Sequence, residues 1–224
     1  FIGPAITAVP GAETGIIVVS AAAGGETNTR KLYQIAENAG KARIIVINKM
    51  DAENVDLAEL VNNIQETFGS QCRCANLPAA DKASVIDCIE NDSGDSPVMD
   101  VAQAHTDLLE SIIEADDDLM EAYLGGEEIG PDKVASVFVK ALILGTVVPV
   151  VFTNAREQVG IPELLELVVR CTPSPVDGQA RKPISADAKN QITAAAAGPL
   201  VGQVFRIGFD PKSNMKYSSI RLLR

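Results

Sequence analysis

Three short apolar runs punctuate the chain: Gly15-Ile-Ile-Val-Val-Ser20, Arg43-Ile-Ile-Val-Ile47 and Val147-Val-Pro-Val-Val-Phe152. Each is rich in β-branched residues and bounded by Gly or polar positions, and so reads as a buried strand. Helical periods separate them. One helix is expected from about Asn28 to Ala39, stopped by Gly40. Asp56-Leu-Ala-Glu59 fits a capping box opening a helix that ends at Phe68 before Gly69. A long amphipathic helix is expected from about Val98 to Leu124, with Leu108, Leu109, Ile112, Ile113, Leu119 and Met120 as its apolar stripe. Further helices are expected from Pro131 to about Leu144 and from Pro162 to about Cys171. Residues 70–97 carry little periodic signal, with Val85 to Ile89 as a candidate strand. Strands alternating with helices predict a parallel α/β sheet. Pro149 cannot donate to a ladder, which puts the third strand at the sheet edge.

Pro173-Ser-Pro175 breaks this pattern, and residues 176–198 read as a linker. From residue 199 the period becomes two: Val201, Gln203-Val204-Phe205 and Ile207, then Tyr217 to Leu223, with a turn at Asp210-Pro211 and Asn214. This predicts the opening hairpin of an antiparallel β-barrel that the chain does not complete. No internal repeat is visible.

Composition sharpens the picture. Hydrophobic residues make up 46% and aromatic residues 4%, so aliphatic side chains do the packing, as where helices cover a parallel sheet. No signal peptide or long apolar run occurs. Cys72, Cys74, Cys88 and Cys171 lack a second pair at zinc spacing and are expected to be reduced thiols, with no metal site. The formal charge of −11 argues against broad binding to nucleic-acid phosphates. Fifteen Asp and Glu residues and no Lys or Arg lie between Lys82 and Lys133. Residues 176–224 hold eight basic residues against three acidic.

Candidate chemistry sits at Asn48-Lys49-Met50-Asp51, directly after a buried strand, where ligands bind open α/β sheets. A carboxylate at Asp51 can accept from the ring N–H and the exocyclic amine of guanine, a donor pair that adenine lacks. Asn48 can bond base and neighbouring backbone at once, and the Lys49 stem can cover one face of the base. Four such residues also fit a plain polar loop between strand and helix. After the third strand comes Phe152-Thr-Asn154-Ala155. A small residue there lets a backbone N–H approach the guanine carbonyl oxygen.

The chain resembles elongation factor G over nearly its whole length. The resemblance rests on Ile44-Ile-Val-Ile-Asn-Lys-Met-Asp51, Glu114 to Leu124 with Glu127-Glu128, Val148-Pro-Val150, Gly160 to Leu165, Pro173-Ser-Pro175, and Gly198-Pro199-Leu200 to Asp210-Pro211, in the family's order and spacing. It implies an incomplete Ras-like P-loop GTPase sheet with an α/β insert, followed by the first strands of a β-barrel. Residues 1–175 would be a partial GTP-binding domain, with the insert at about 70–145, and residues 199–224 the start of domain II. Asn48, Lys49 and Asp51 match the guanine-specificity motif. Asn154-Ala155 stands where the family has Ser-Ala, with Asn departing from the pattern and Ala kept. The insert faces the ribosomal stalk protein in the family, although a solvated acidic face is the plainer reading of the run from Glu90 to Asp132. Phe1 to Val9 resembles the helix after the family's Asp-x-x-Gly switch motif.

No Gly-x-x-x-x-Gly-Lys-Ser/Thr run occurs, so the phosphate cradle, Mg²⁺ ligands and catalytic residues are expected to lie outside this sequence. His105 falls in the insert and is expected on a helix surface, without a catalytic role. Two charge-assisted hydrogen bonds contribute about 1.5–3 kcal/mol each against an association cost of about 4–15 kcal/mol. Guanine contacts alone then give roughly millimolar affinity, and no measurable GTP hydrolysis is expected from this chain alone. The resemblance implies a cytoplasmic translational GTPase that uses GTP/GDP and the ribosome. The alternatives are a non-catalytic ribosome-binding module and an elongation factor G paralogue. An uncovered sheet edge would favour self-association.

Overall fold

The computed structural model describes residues 2–23, 27–126, 130–178 and 202–222. A short helix α1 (Ile2–Ala8) and a 3-10 turn (Val9–Gly11) lead into strand β1 (Thr14–Ser20). There follow α2 (Thr27–Asn38), β2 (Ala42–Asn48), α3 (Leu57–Phe68), β3 (Cys72–Cys74), β4 (Asn76–Pro78) and β5 (Val85–Asp87). Then come α4 (Val101–Ile113), α5 (Asp117–Leu124), α6 (Pro131–Leu144), β6 (Val148–Thr153), α7 (Ile161–Cys171), β7 (Gly202–Asp210) and β8 (Met215–Leu222).

Strands β1, β2, β6 and β3 form a parallel sheet in that order, so the α/β expectation holds. Its centre is dry. Ile44, Ile45, Ile47, Val148, Val150 and Phe152 are fully buried, because helices pack on both faces of β2 and β6. Asp56 caps α3 by accepting from the Glu59 amide at 2.9 Å. Gly40 and Gly145, with φ of 61° and 78°, take the left-handed conformation that ends α2 and α6.

The expected edge position of the third strand is corrected: β6 lies inside the sheet, between β2 and β3. Its even-numbered residues bond toward β3. The Val148 amide donates to the Gln71 carbonyl at 2.8 Å, and the Ala75 amide donates to the Val150 carbonyl at 2.9 Å. Pro149 therefore turns its missing donor toward β2, whose register with β6 begins only at Val150. No ladder bond is lost.

The single helix expected from Val98 to Leu124 is also corrected. It breaks at residues 114–116, where the Asp116 carboxylate accepts from the Leu119 amide at 3.2 Å and starts α5. A side chain that caps offers the backbone an alternative to continuing the first helix. His105, expected on a helix surface, is half-buried instead. Its Nδ1 lies 2.8 Å from the Cys88 carbonyl and so carries the proton it donates.

β7 and β8 pair as the expected antiparallel hairpin, with Asn214 at φ 54° in its turn. The expected linker lies mostly outside the described residues. The hairpin meets the sheet through Glu13, just before β1, whose carboxylate accepts from Arg221 and from Lys41 Nζ at 3.3 Å. Burial pushes the Glu13 carboxyl upward, but Arg221 and Lys41 outweigh it and hold the group below its ordinary 4.5. Its stabilising contribution is thus present above pH about 4.5 and lost as pH falls through the lower folded value. Urea unfolding at pH 7 and at pH 3 is expected to show a larger acid loss in the native chain than in Glu13→Gln. Equal losses would contradict this coupling.

All four cysteines are free and buried. Burial raises the Cys72 and Cys88 thiols to about 12 and the Cys171 thiol to about 11, and it also pushes Cys74 upward. They are protonated near neutrality and packed as small apolar groups. Among the described residues no helix is long and apolar enough to cross a membrane.

Candidate functional site

Asn48 and Thr153 end adjacent parallel strands and are register partners. The loops after them, residues 49–56 and 154–160, therefore leave the same end of the sheet side by side. The Asn48 side chain joins them. Its Oδ1 accepts from the Ala155 amide at 3.0 Å and from Thr153 Oγ1 at 3.3 Å. The Asn48 carbonyl accepts from the Ala21 amide at 2.9 Å, tying in the end of β1 as well.

Met50 anchors the first loop. Its side chain is fully buried, and its amide donates to the Thr153 carbonyl at 3.2 Å. The flanking residues Lys49 and Asp51 are both exposed, and among the described residues neither side chain has a hydrogen-bond partner. Lys49 has φ 62°, a left-handed conformation that costs a non-glycine residue about 1–2 kcal/mol. Strain of this kind clusters at ligand-binding loops. Lys49→Gly is expected to hold or raise stability, by up to about 1 kcal/mol, while removing the stem beside the site. Thermal unfolding checks this, and a drop of about 1 kcal/mol or more would contradict it.

The second loop is closed on itself. Asn154 is buried, exchanges backbone hydrogen bonds with Val159 at 2.8 and 3.1 Å, and accepts from the Glu157 amide through Oδ1 at 3.4 Å. It shapes the loop from within. Ala155 is exposed and its carbonyl accepts from Gln158 Nε2 at 2.8 Å. A Cβ on Gly160 would stand 2.3 Å from the Phe152 carbonyl oxygen, so only glycine fits there.

Of the five expected site residues, the structure brings Asn48 and Ala155 into direct contact and places Lys49 and Asp51 on the loop pinned against them. The Ala155 amide, expected to face a ligand oxygen, is here held by Asn48. Asn48 bonds the neighbouring loop's backbone through that same contact, and among the described residues its Nδ2 has no acceptor. An outward carboxylate beside a carboxamide and an exposed alanine at the mouth of two loops can bind the polar edge of a planar heterocycle.

Asn76, Thr153 and Gly160 were not anticipated. Asn76 is buried just past β3, where the strand has ended. Its Oδ1 accepts from the Phe152 amide at 2.6 Å and its Nδ2 donates to the Phe152 carbonyl at 3.2 Å. The side chain continues the ladder that β3 leaves off, immediately before the second loop. No sequence signal marks it. Among the described residues no group of three or more His, Cys, Asp or Glu side chains is arranged to hold a metal ion.

The chain is 31% identical over 216 residues to elongation factor G of Fervidobacterium nodosum, covering 88% of this chain and 31% of that protein. A crystal structure of a Thermus thermophilus protein superposes with a TM-score of 0.80 at 26% identity, covering all of this chain and 34% of that one. The chain thus spans about a third of the length of these relatives. The family described as elongation factor Tu GTP binding domain matches residues 1–174. With the parallel sheet and paired strand-end loops already in place, this match shows that the chain belongs to the elongation factor Tu GTP-binding domain family.

Proposed function

We propose that Asn48, Lys49, Asp51 and Ala155, with Asn154 shaping the second loop, form the guanine-recognition half of a translational GTPase site. In the full-length protein this site would bind GTP and GDP, and hydrolysis on the ribosome would drive translocation, as in an elongation factor G. The observation that carries the reading is the Asn48 bridge, which fixes two loops from adjacent strand ends with Asp51 free to accept. The proposed domain division is a GTP-binding unit over residues 1–175 with its insert at about 70–145, then the start of a second domain at 199–224. A cytoplasmic setting fits that role.

The test is GTP turnover by the full-length protein with and without ribosomes. Ribosome-stimulated phosphate release is expected, and turnover of ATP at the same rate would overturn the reading.

Two partner proposals accompany it. The acidic insert would meet the ribosomal stalk protein. Part of its charge is compensated internally, since Asp107 pairs with Arg73 at 3.5 Å and Asp116 with Lys140 at 3.0 Å. The uncompensated remainder would steer a basic partner. A pull-down of stalk protein lost on neutralising Asp117 and Asp118 would support it, and unchanged capture would remove it. Self-association of the chain is favoured by β1, which sits at the sheet edge with Ile16 and Val18 at 45% and 61% exposure. Sedimentation should show mass rising with concentration, and a constant monomer mass would exclude it.

A further inference from the structure

Away from the strand-end loops, a cavity of about 620 Å³ opens between α4, α6, α7 and the β4–β5 hairpin. It shares no residue with the loops carrying Asp51 and Ala155, and its chemistry is independent of the guanine reading. Three helices turn one face each toward it. His105, Leu109 and Ile113 recur at every fourth position of α4. Ala135 and Phe138 come from α6, and Glu163, Glu166, Leu167 and Arg170 from α7. A volume of this size with an apolar floor and a few convergent polar groups is the usual form of a small-molecule site.

The charges around the cavity do not balance. The one guanidinium among its described lining residues, Arg170, is already shared, with Nη1 at 3.0 Å from both Glu90 and Glu166. Two further carboxylates, Asp87 and Glu163, line the cavity and have no cationic partner among the described residues. Glu163 Oε2 is buried with no hydrogen-bond partner. Asp87 accepts from backbone amides only, from Ile89 at 2.7 Å through Oδ1 and from Glu90. Burial pushes the Asp87 carboxyl upward, an effect that the Ile89 amide opposes. Glu163 stands in the first turn of α7, where the helix dipole favours a negative charge. A buried carboxylate oxygen without a donor is unfavourable unless something supplies one. His105 does not, since its Nδ1 is taken by the Cys88 carbonyl and no bond from its ring reaches Glu163 Oε2.

We propose that this cavity binds an organic cation, an ammonium or amidinium group on an apolar body. The cationic head meets Glu163 and Asp87, and the body lies against Leu109, Phe138 and Leu167. Each part of the ligand answers a feature of the wall: the head supplies the donors that Glu163 Oε2 lacks, and the body replaces water on the apolar floor. A neutral carboxamide of the same shape can still donate a hydrogen bond, but it lacks the charge that answers two unpaired carboxylates. An anion meets four carboxylates and a committed arginine, and is excluded.

The probe is benzamidinium, with neutral benzamide as its isostere, titrated into the 224-residue chain and followed by calorimetry and by amide shifts. Benzamidinium is expected to bind at least about tenfold more tightly than benzamide. Glu163→Gln with Asp87→Asn should erase that preference and leave benzamide binding unchanged. Ala135→Phe keeps every charge but fills the cavity, and should weaken both probes. Equal affinity for the two probes, no binding of either, or a preference that survives the double substitution would overturn the proposal. Shifts confined to residues outside α4, α6 and α7 would do the same.

Discussion

Asp51→Asn is expected to weaken binding of guanine nucleotides about 10²–10⁴-fold while raising the relative affinity for xanthine nucleotides. The carboxylate offers two acceptors, which suits the ring N–H and exocyclic amine of guanine. The carboxamide replaces one acceptor with a donor, and that donor would point at the guanine amine. Xanthine carries a carbonyl there and accepts it. Two charge-assisted bonds at about 1.5–3 kcal/mol each set the range. Because Asp51 is exposed and unpartnered among the described residues, the stability of the variant should stay within about 0.5 kcal/mol. Equilibrium binding of GDP and XDP to both forms checks the exchange. Retention of GDP affinity within about threefold would contradict a role for this carboxylate in reading the base.

The largest structural effect is expected at Asn76. Its side chain satisfies both the amide and the carbonyl of Phe152 inside a dry core. Asn76→Ala strands both groups, and each costs about 1–3 kcal/mol when buried without a partner, so the expected loss is about 2–6 kcal/mol. Urea unfolding measures it directly. The second loop should suffer too, because Thr153 to Ala155 hang from the strand that Asn76 holds. A loss under about 1 kcal/mol would mean that the side chain is not a substitute for the missing ladder.

The sequence shows most where a residue acts through its immediate neighbours. The run Ile44 to Ile47 announces a strand buried on both faces because no polar residue interrupts it. Asp56 announces the start of α3 because a capping carboxylate works three residues away. The glycines that stop α2 and α6 do so through their own φ. Strands β3 and β4 were missed for the opposite reason. Each is three residues long, and each exists only because distant chain pairs with it. Pro149 misled because its effect depends on which neighbouring strand its missing donor faces, and only the assembled sheet decides that. The helix break at residues 114–116 was obscured by an apolar stripe that runs on past it.

At the site, the two strand-end loops could be placed together from topology alone. The bond that joins them could not. Asn48 and Ala155 are separated by 107 positions, and nothing in either tetrapeptide states that the carboxamide will take up the alanine amide. The left-handed Lys49 was equally hidden, since lysine carries no preference for that conformation. Its cause is Met50, which is drawn into the core and leaves its two neighbours facing out.

If the loops after β2 and β6 read guanine together, the isolated chain should tell GMP from AMP. The direct measurement is an amide-resolved NMR titration of the 224-residue chain with GMP and, in parallel, AMP, up to several millimolar. Shifts are expected at Asp51, Ala155 and their neighbours with GMP alone, with affinity of roughly millimolar order from base contacts. Silence at both loops, or the same shifts with AMP, would contradict joint guanine reading by these loops.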